Sequence, residues 1–264
     1  MTIEQWFPSV KLPLSWEQFR QLPQHPAYRY EYRDGEAWLS ARPKSYHTLL
    51  SLERRDPPRT LRGFGRETIT FRLLRESDWP QLPSLFAWSF HRVPPFSLLA
   101  DQQREAAAAQ CLETTHNGGD GPLIDSACIV ACCDTNDGEQ QLGAILVTAM
   151  PKEDREHFDD LLPPPLPPAD VEACSGRPHL TWIFTNYWTA RHGVGTALLG
   201  YAVNALLDLG FDELASTFLL GNESSTLWHW RNGFRLLSYP GSPRVMDRAI
   251  ERTGRAISSM GRIE

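Results

Sequence analysis

The chain lacks the features that mark membrane, secreted and metal-binding proteins. Its 264 residues contain no apolar run of the roughly eighteen residues that cross a bilayer, and the N-terminal segment has no signal-peptide apolar core. The five cysteines are an odd number without a CxxC pair, which argues against a disulfide framework and a zinc site. We therefore expect a cytoplasmic protein with reduced core thiols, no metal and no membrane association.

Two well-known phosphate loops and one nuclease motif are also missing. No Lys-Ser or Lys-Thr follows a glycine pair at P-loop spacing, and Leu198 stands where a dinucleotide-binding fingerprint needs its third small residue. No Asp followed by (Asp/Glu)-x-Lys occurs, since Lys152 is preceded by Met150 and Pro151. P-loop nucleotide hydrolysis, Rossmann-type cofactor binding and metal-dependent nuclease chemistry are therefore not expected.

Excess positive charge is absent as well, and the charge that exists is unevenly divided. The net charge is −6, with +4 on residues 1–66 and −10 on the remainder. A nucleic-acid-binding protein would need a strongly basic face, so no nucleic acid partner is expected. The acidic portion favours a cationic substrate such as an amine, or it serves only solubility.

The most informative stretch that is present joins a strand pattern to a helix pattern. Residues 179–188 are aromatic and branched, and after Gly193 and Gly195 apolar residues recur at helical spacing until Gly210. The N–H groups of a helix's first turn bind anions, and glycines let a diphosphate approach the backbone. The alternative is a turn that needs glycine only for its backbone conformation.

The next elements make the interpretation specific. A second strand pattern at 211–220 leads to Asn222 and then to Gly233-Phe234. With the glycine pair, these residues resemble the GCN5-related N-acetyltransferase (GNAT) family, whose signature has [Q/R]xxGxG/A after the fourth strand. Two positions depart from it, because Ala190 replaces the family's Gln or Arg and His229 replaces the tyrosine of the fourth helix.

Earlier segments follow the element order of that family. The patterns predict a strand at 68–74, a helix beginning at Ser77-Asp78, a helix over 96–113 and a hairpin of 125–133 with 141–148. The resemblance covers about residues 68–240. It implies an α/β GNAT fold, a mixed and mostly antiparallel central sheet flanked by helices, with splayed fourth and fifth strands.

Two terminal segments and one insertion do not follow the pattern of the family. The pattern in residues 1–66 predicts a short helix and a hairpin that turns at Asp34-Gly35, which is similar to the opening of Uma2-like proteins but truncated. Residues 151–178 include the proline-rich run 163–168, which favours extended structure and is a lid, a partner ligand or a plain surface excursion. We therefore predict an accessory N-terminal module (1–66), a GNAT domain (67–242) and a helical tail (243–264).

The resemblance implies acetyl transfer from acetyl-CoA to a primary amine of a small molecule or peptide. His229 is the candidate acid for the coenzyme A thiolate, with simple packing as the alternative, and the base is left open among Glu105, Glu213 and Glu223. The predicted coenzyme contacts are Phe184, Thr185, Asn186, Arg191, His192, Gly193, Val194, Gly195, Thr196, Asn222 and Ser225. The rival function is a non-catalytic acyl-CoA sensor or interaction protein, and residues 1–66 or the proline-rich run are the expected contacts for a second copy or a protein partner.

Overall fold

A computed structural model was analysed for this chain. It describes residues 10–12, 14–21, 28–41, 45–63, 67–93, 96–136, 138–150, 176–186, 189, 192–219 and 222–236. The proline-rich run, Arg191 and the predicted helical tail lie outside the described residues. None of the described helices is long and apolar enough to cross a membrane.

The body of the protein is an eight-stranded mixed sheet. In spatial order the strands are β11 (Arg235–Leu236), β4 (Ser45–Ser51), β10 (Glu213–Leu219), β9 (Arg177–Thr185), β8 (Gly138–Met150), β7 (Ile129–Thr135), β6 (Thr68–Leu73) and β5 (Thr60–Arg62). Among the described strands of this sheet, only β9 and β10 pair in parallel. The prediction of a mixed, mostly antiparallel sheet in an α/β fold is confirmed.

Helices cover both faces of this sheet. Helices α2 (Leu82–Ser89) and α3 (Asp101–His116) pack on one face, around Phe86 and Leu112, while α4 (Val194–Asp208) packs on the other. Because β7 and β8 are buried between the two layers, their central residues are apolar on both sides. The predicted order of strand, two helices, hairpin, strand, helix, strand and helix is confirmed, and the last helix is α5 (Glu223–Arg231).

The N-terminal segment contains the predicted helix and hairpin. Helix α1 (Trp16–Arg20) begins at a capping box in which Ser15 and Gln18 exchange hydrogen bonds. Strands β2 (Tyr28–Arg33) and β3 (Glu36–Ala41) turn at Asp34-Gly35, whose φ angles of 54° and 77° suit a two-residue hairpin, and β1 (Val10–Leu12) completes a three-stranded sheet.

Residues 1–66, predicted to form an accessory module, contribute a strand to the interior of the main sheet. Strand β4 pairs with all seven residues of β10, and on its other side it pairs with β11. Leu49 and Leu50 of β4 are buried, and the Thr48 hydroxyl donates to the carbonyl of Ser216. Thr48, Leu49 and Leu50 are consecutive and all buried, so both faces of this strand are covered, whereas the sequence interpretation had grouped it with the hairpin module.

A strap of residues 52–59 connects β4 to β5 across helix α4. Asn204 of α4 accepts from the Arg55 amide and donates to the Arg55 carbonyl, both at 2.9 Å. Pro57 lies so close to Gly200 that a Cβ on the glycine would be 2.9 Å from the proline ring. The strap thus ties the end of β4 to α4, the helix that covers this face of the sheet.

Candidate active site

The predicted separation of two neighbouring strands is present between β9 and β10. Their parallel ladder has two pairs, Ala215 with His179 and Ser216 with Leu180, although both strands continue beyond it. We call the space beyond this ladder, between residues 181–185 and 217–219, the cleft. Because β4 pairs with β10 along its whole length, β10 remains in the sheet while its edge towards the cleft is released from β9.

A β-bulge lies where the cleft begins. The pairing of β8 with β9 shifts between Leu146, which faces Trp182, and Val147, which faces Leu180, so Thr181 is the extra residue. Bulges re-aim side chains and often lie beside active sites. Here the bulge follows directly after the last residue of β9 that pairs with β10.

Backbone groups on the β9 side of the cleft differ in availability. The Asn186 amide donates to the Leu142 carbonyl of β8, and the Asn186 carbonyl accepts from Thr189. Both groups already have a partner within the protein, and pairing of the Asn186 main chain with a ligand stays a prediction. Alternation along the strand directs the main chain of Phe184 to β8 as well and turns that of Thr185 away from β8. The Thr185 carbonyl accepts from the Ser89 hydroxyl at 2.7 Å, so its amide is the group that faces the cleft.

The helix that follows β9 has the predicted glycine start. Gly193 is the N-cap residue with φ 79°, and the first helical bond runs from the Ala197 amide to the Gly193 carbonyl. The N–H groups of Val194, Gly195 and Thr196 therefore have no acceptor within the helix. The His192 amide is different, because it donates to the Thr189 carbonyl in the preceding turn.

Gly195 faces an indole rather than open space. A Cβ at this position would lie 3.1 Å from Nε1 of Trp228 and 3.9 Å from Cδ1 of Ile183. Trp228 belongs to the second half of α5, so this part of α5 approaches the first turn of α4 here. No local pattern predicted this contact, since it joins segments more than thirty residues apart.

Asn222 and Ser225 hold the start of α5. The side-chain oxygen of Asn222 accepts from the Ser225 amide at 3.0 Å. The backbone carbonyl of Asn222 accepts from the amide and hydroxyl of Thr226. Asparagine is among the best residues for this capping role. These contacts orient α5, and a coenzyme contact through the same atoms stays a prediction.

His229 lies in the core. Its side chain is 3% exposed and stacks on Phe218 at 4.4 Å. Nδ1 is 2.7 Å from the carbonyl of Ser225, which can only accept, so Nδ1 carries the hydrogen and Nε2 accepts from the Ser216 hydroxyl at 2.8 Å. Burial lowers the pKa of His229 to about 4, although the hydrogen bond with Ser225 opposes this. The geometry favours the packing alternative over the predicted role as acid.

The three candidate bases lie in different parts of the structure and have different partners. Glu105 is exposed and accepts from Ser84, and Glu223 is exposed in the first turn of α5, where the helix dipole favours a carboxylate. Glu213 forms a largely buried ion pair with Arg177 at 2.8 Å, joining β10 to β9. That pair lies before the ladder, at the closed end of the two strands.

The sequence interpretation missed His179. Its Nε2 lies 3.0 Å from the hydroxyl of Thr217, which is the first residue of β10 beyond the ladder. Its Nδ1 lies 3.2 Å from the hydroxyl of Thr181, the bulge residue. Alternation in the strand pattern could have placed His179 and Thr181 on one face, but the partner on β10 depends on the parallel register.

Comparisons with known proteins give structural likeness only. No protein-family model matches the chain and no curated protein matches it. A GCN5-related N-acetyltransferase from Sphaerobacter thermophilus is similar at 13% identity and a TM-score of 0.44, over 73% of this chain and 48% of that chain. This chain therefore spans about half the length of that protein.

Two further solved structures are similar over more of their own length. One is a GCN5-related N-acetyltransferase from Ralstonia eutropha JMP134, at 14% identity and a TM-score of 0.40, covering 66% of this chain and 97% of that one. The other is the aminoglycoside N-acetyltransferase AAC(6')-Iy in complex with CoA, at 14% identity and a TM-score of 0.39, covering 65% and 90%. Likeness of this size assigns no residue role to the chain.

Proposed function

We propose that the chain is an acetyl-CoA-dependent N-acetyltransferase that acetylates a primary amine of a small molecule or peptide. The observation that carries this proposal is the coincidence of three features along β9: a parallel ladder that stops after two pairs, a bulge at Thr181 and a glycine-started helix. Together they offer an extended ligand a strand edge and offer an anion a helix N-terminus.

The residues present fit coenzyme A in two places. The N–H groups of Val194, Gly195 and Thr196, which have no acceptor within the helix, suit the diphosphate, since each contact between such a dipole and an exposed charge contributes about 0.3–1 kcal/mol. The cleft-facing amide of Thr185 suits a carbonyl of the pantetheine arm, which would continue the sheet where β10 turns away, while the Thr185 carbonyl already accepts from Ser89. Arg191 stays a predicted diphosphate contact.

The chemistry is direct attack of the amine on the thioester carbonyl. The tetrahedral intermediate carries an oxyanion, and preorganised donors at that oxygen lower the barrier. The bulge at Thr181 changes the direction of the backbone at the start of the cleft, which supports an N–H group there as such a donor. His229, with both ring nitrogens bonded in the core, is not needed for this step.

A non-catalytic acyl-CoA sensor is the second candidate, and the packing of His229 favours it. A chain that binds the coenzyme but lacks an acid would retain the helix N-terminus and lose turnover. The acidic net charge supports an amine acceptor in either case, because a protonated amine is a cation.

Calorimetric titration with acetyl-CoA, followed by a screen of a mixed amine library, tests both candidates. Saturable binding with release of free thiol in the presence of an amine supports the transferase. Binding without turnover across the library supports the sensor, and no binding refutes both.

A further inference from the structure

A chain of hydrogen bonds runs through the sheet from the cleft to a loop after α3. His179 of β9 links Thr217 of β10, at 3.0 Å, to Thr181, at 3.2 Å. The Thr181 hydroxyl lies 2.8 Å from that of Thr148 on β8, which in turn lies 2.8 Å from the carbonyl of Asp120. This series of hydrogen bonds therefore crosses the neighbouring strands β10, β9 and β8, on the face of the sheet that carries α2 and α3.

The direction of these bonds follows from the last acceptor. The Asp120 carbonyl has no hydrogen, so the buried Thr148 hydroxyl donates to it. The Thr181 hydrogen then goes to Thr148 at 2.8 Å rather than to the His179 carbonyl at 3.4 Å, and the Thr181 oxygen accepts from Nδ1–H of His179. This leaves Nε2 of His179 without a hydrogen and able to accept from the Thr217 hydroxyl.

The acceptor nitrogen is aimed at the start of the cleft. Ser216 is the last residue of β10 that pairs with β9, and Thr217 follows it. Thr217 is only partly buried and is the first residue of β10 beyond the ladder, so part of this residue is accessible at the start of the cleft. His229 contrasts with this arrangement, because its Nε2 is turned to Ser216 inside the core.

We propose that Thr217 and His179 remove the proton that the acceptor ammonium must lose, Thr217 at the substrate and His179 behind it. This inference rests on the proposed acetyl transfer. The ammonium nitrogen gives a proton to the Thr217 oxygen while the Thr217 hydrogen passes to Nε2 of His179, which becomes an imidazolium. The nitrogen lone pair then forms the C–N bond, and the C–S bond breaks with its electrons on sulfur. The second proton that the nitrogen loses neutralises the thiolate, and His179 releases the first proton to solvent.

The charged groups near His179 come from two elements and a loop. Arg177 and Glu213, two residues before the ladder pair, form an ion pair whose charges offset each other. The Asp120 carboxylate accepts from Thr115 and is separated from His179 by two threonine hydroxyls. Among the described residues, an imidazolium at His179 would therefore lie near an ion pair whose charges offset each other.

The test combines three variants in the full chain with acetyl-CoA and the best amine of the library. His179→Gln keeps one donor and one acceptor but cannot take up a proton, so kcat/KM should fall by roughly 10²–10⁴. Wild-type kcat/KM should rise with pH through one ionisation that His179→Gln lacks. Thr217→Val should lose activity similarly, and Thr217→Ser should restore most of it.

Matched controls separate this inference from the proposed function. His116→Gln, at the exposed end of α3, should keep the wild-type pH profile, and acetyl-CoA binding should change by less than about threefold, or about 0.7 kcal/mol, in every variant. Absence of acetyl-CoA binding in the wild-type chain refutes the transferase and this inference together. Binding and turnover with an unchanged pH profile in His179→Gln refute the inference alone.

Nitrogen-15 NMR of histidine-labelled protein gives a readout that needs no amine. His179 should show hydrogen on Nδ1, and its resonances should move when acetyl-CoA is added, while those of His116 stay. Hydrogen on Nε2, or unmoved His179 resonances with bound acetyl-CoA, would overturn the assignment.

Discussion

Nε2 of His229 lies 2.8 Å from the hydroxyl of Ser216, the last residue of β10 that pairs with β9. The bond joins α5 to the strand at the point where the cleft begins. His229 thus supports the start of the cleft from the core side.

We expect His229 to make the stability of the protein depend on pH. Burial lowers its folded pKa to about 4, while the unfolded pKa is near 6.5. Between these values only the unfolded chain binds the proton, so the stabilisation is complete above about pH 6.5 and is lost as pH falls towards 4. The loss should reach about 3 kcal/mol in urea unfolding. His229→Phe should reduce this slope and His116→Phe should keep it; equal slopes in all three proteins would contradict the buried neutral state.

The same residue yields a kinetic prediction. If His229 only packs, His229→Phe should retain kcat within about threefold of wild type when the variant is folded, whereas removal of a general acid lowers kcat roughly 10²–10⁴-fold. Steady-state rates on the acceptor found in the amine library decide between these outcomes.

Gly195→Val should weaken acetyl-CoA binding tenfold or more, about 1.4 kcal/mol. A side chain there would press on the Trp228 indole, whose Nε1 would be 3.1 Å from the new Cβ, and would crowd the N–H groups of the first turn. Calorimetry on the folded variant measures the effect, and unchanged affinity would refute the diphosphate site.

Two other glycines separate strain from binding. Gly193 and Gly210 have φ angles of 79° and 89° with open space around the missing Cβ, so alanine at either position should cost about 1–2 kcal/mol of stability. Gly193→Ala lies at the proposed site and Gly210→Ala at the far end of α4. We expect thermal unfolding to shift similarly in both, with acetyl-CoA affinity lowered only in Gly193→Ala.

Leu49→Ala tests whether β4 belongs to the main domain. Leu49 is 1% exposed, and truncation of a buried leucine costs about 2–5 kcal/mol. The main unfolding transition should move to lower denaturant, together with loss of acetyl-CoA binding. Leu73→Ala, at a strand leucine that is 54% exposed, is the control and should change little. An unmoved main transition in Leu49→Ala would restore the boundary at residue 66.

The sequence predicted those parts of the fold that depend on local pattern. Gly193 lies at the start of α4 and Gly210 just after its end, and Asp34-Gly35 forms the hairpin turn. All four residues have positive φ angles, which glycine and turn residues such as aspartate adopt most readily. Long-range pairing was not predictable in this way. The partner of β4 on β10 lies 168 residues away, and nothing within 45–51 identifies it.

The same distinction between local pattern and long-range pairing applies to the residues of the candidate site. The glycine start of α4 was found from its motif, whereas His229 was assigned by its position in the motif and its burial could not be seen. His179 carries no motif at all. Its place at the start of the cleft arises from the β9–β10 register and from the bulge at Thr181.

The insertion of β4 between β10 and β11 has a consequence for synthesis of the protein on the ribosome. Both partners of β4 are made long after it, since Thr48 bonds to Ser216, 168 residues later. At about 5–20 residues per second, β4 waits roughly 8–34 s for its partners. During that interval the nascent chain exposes an unpaired apolar strand, so its yield in the cell should depend on chaperones that shield such segments until the C-terminal strands emerge.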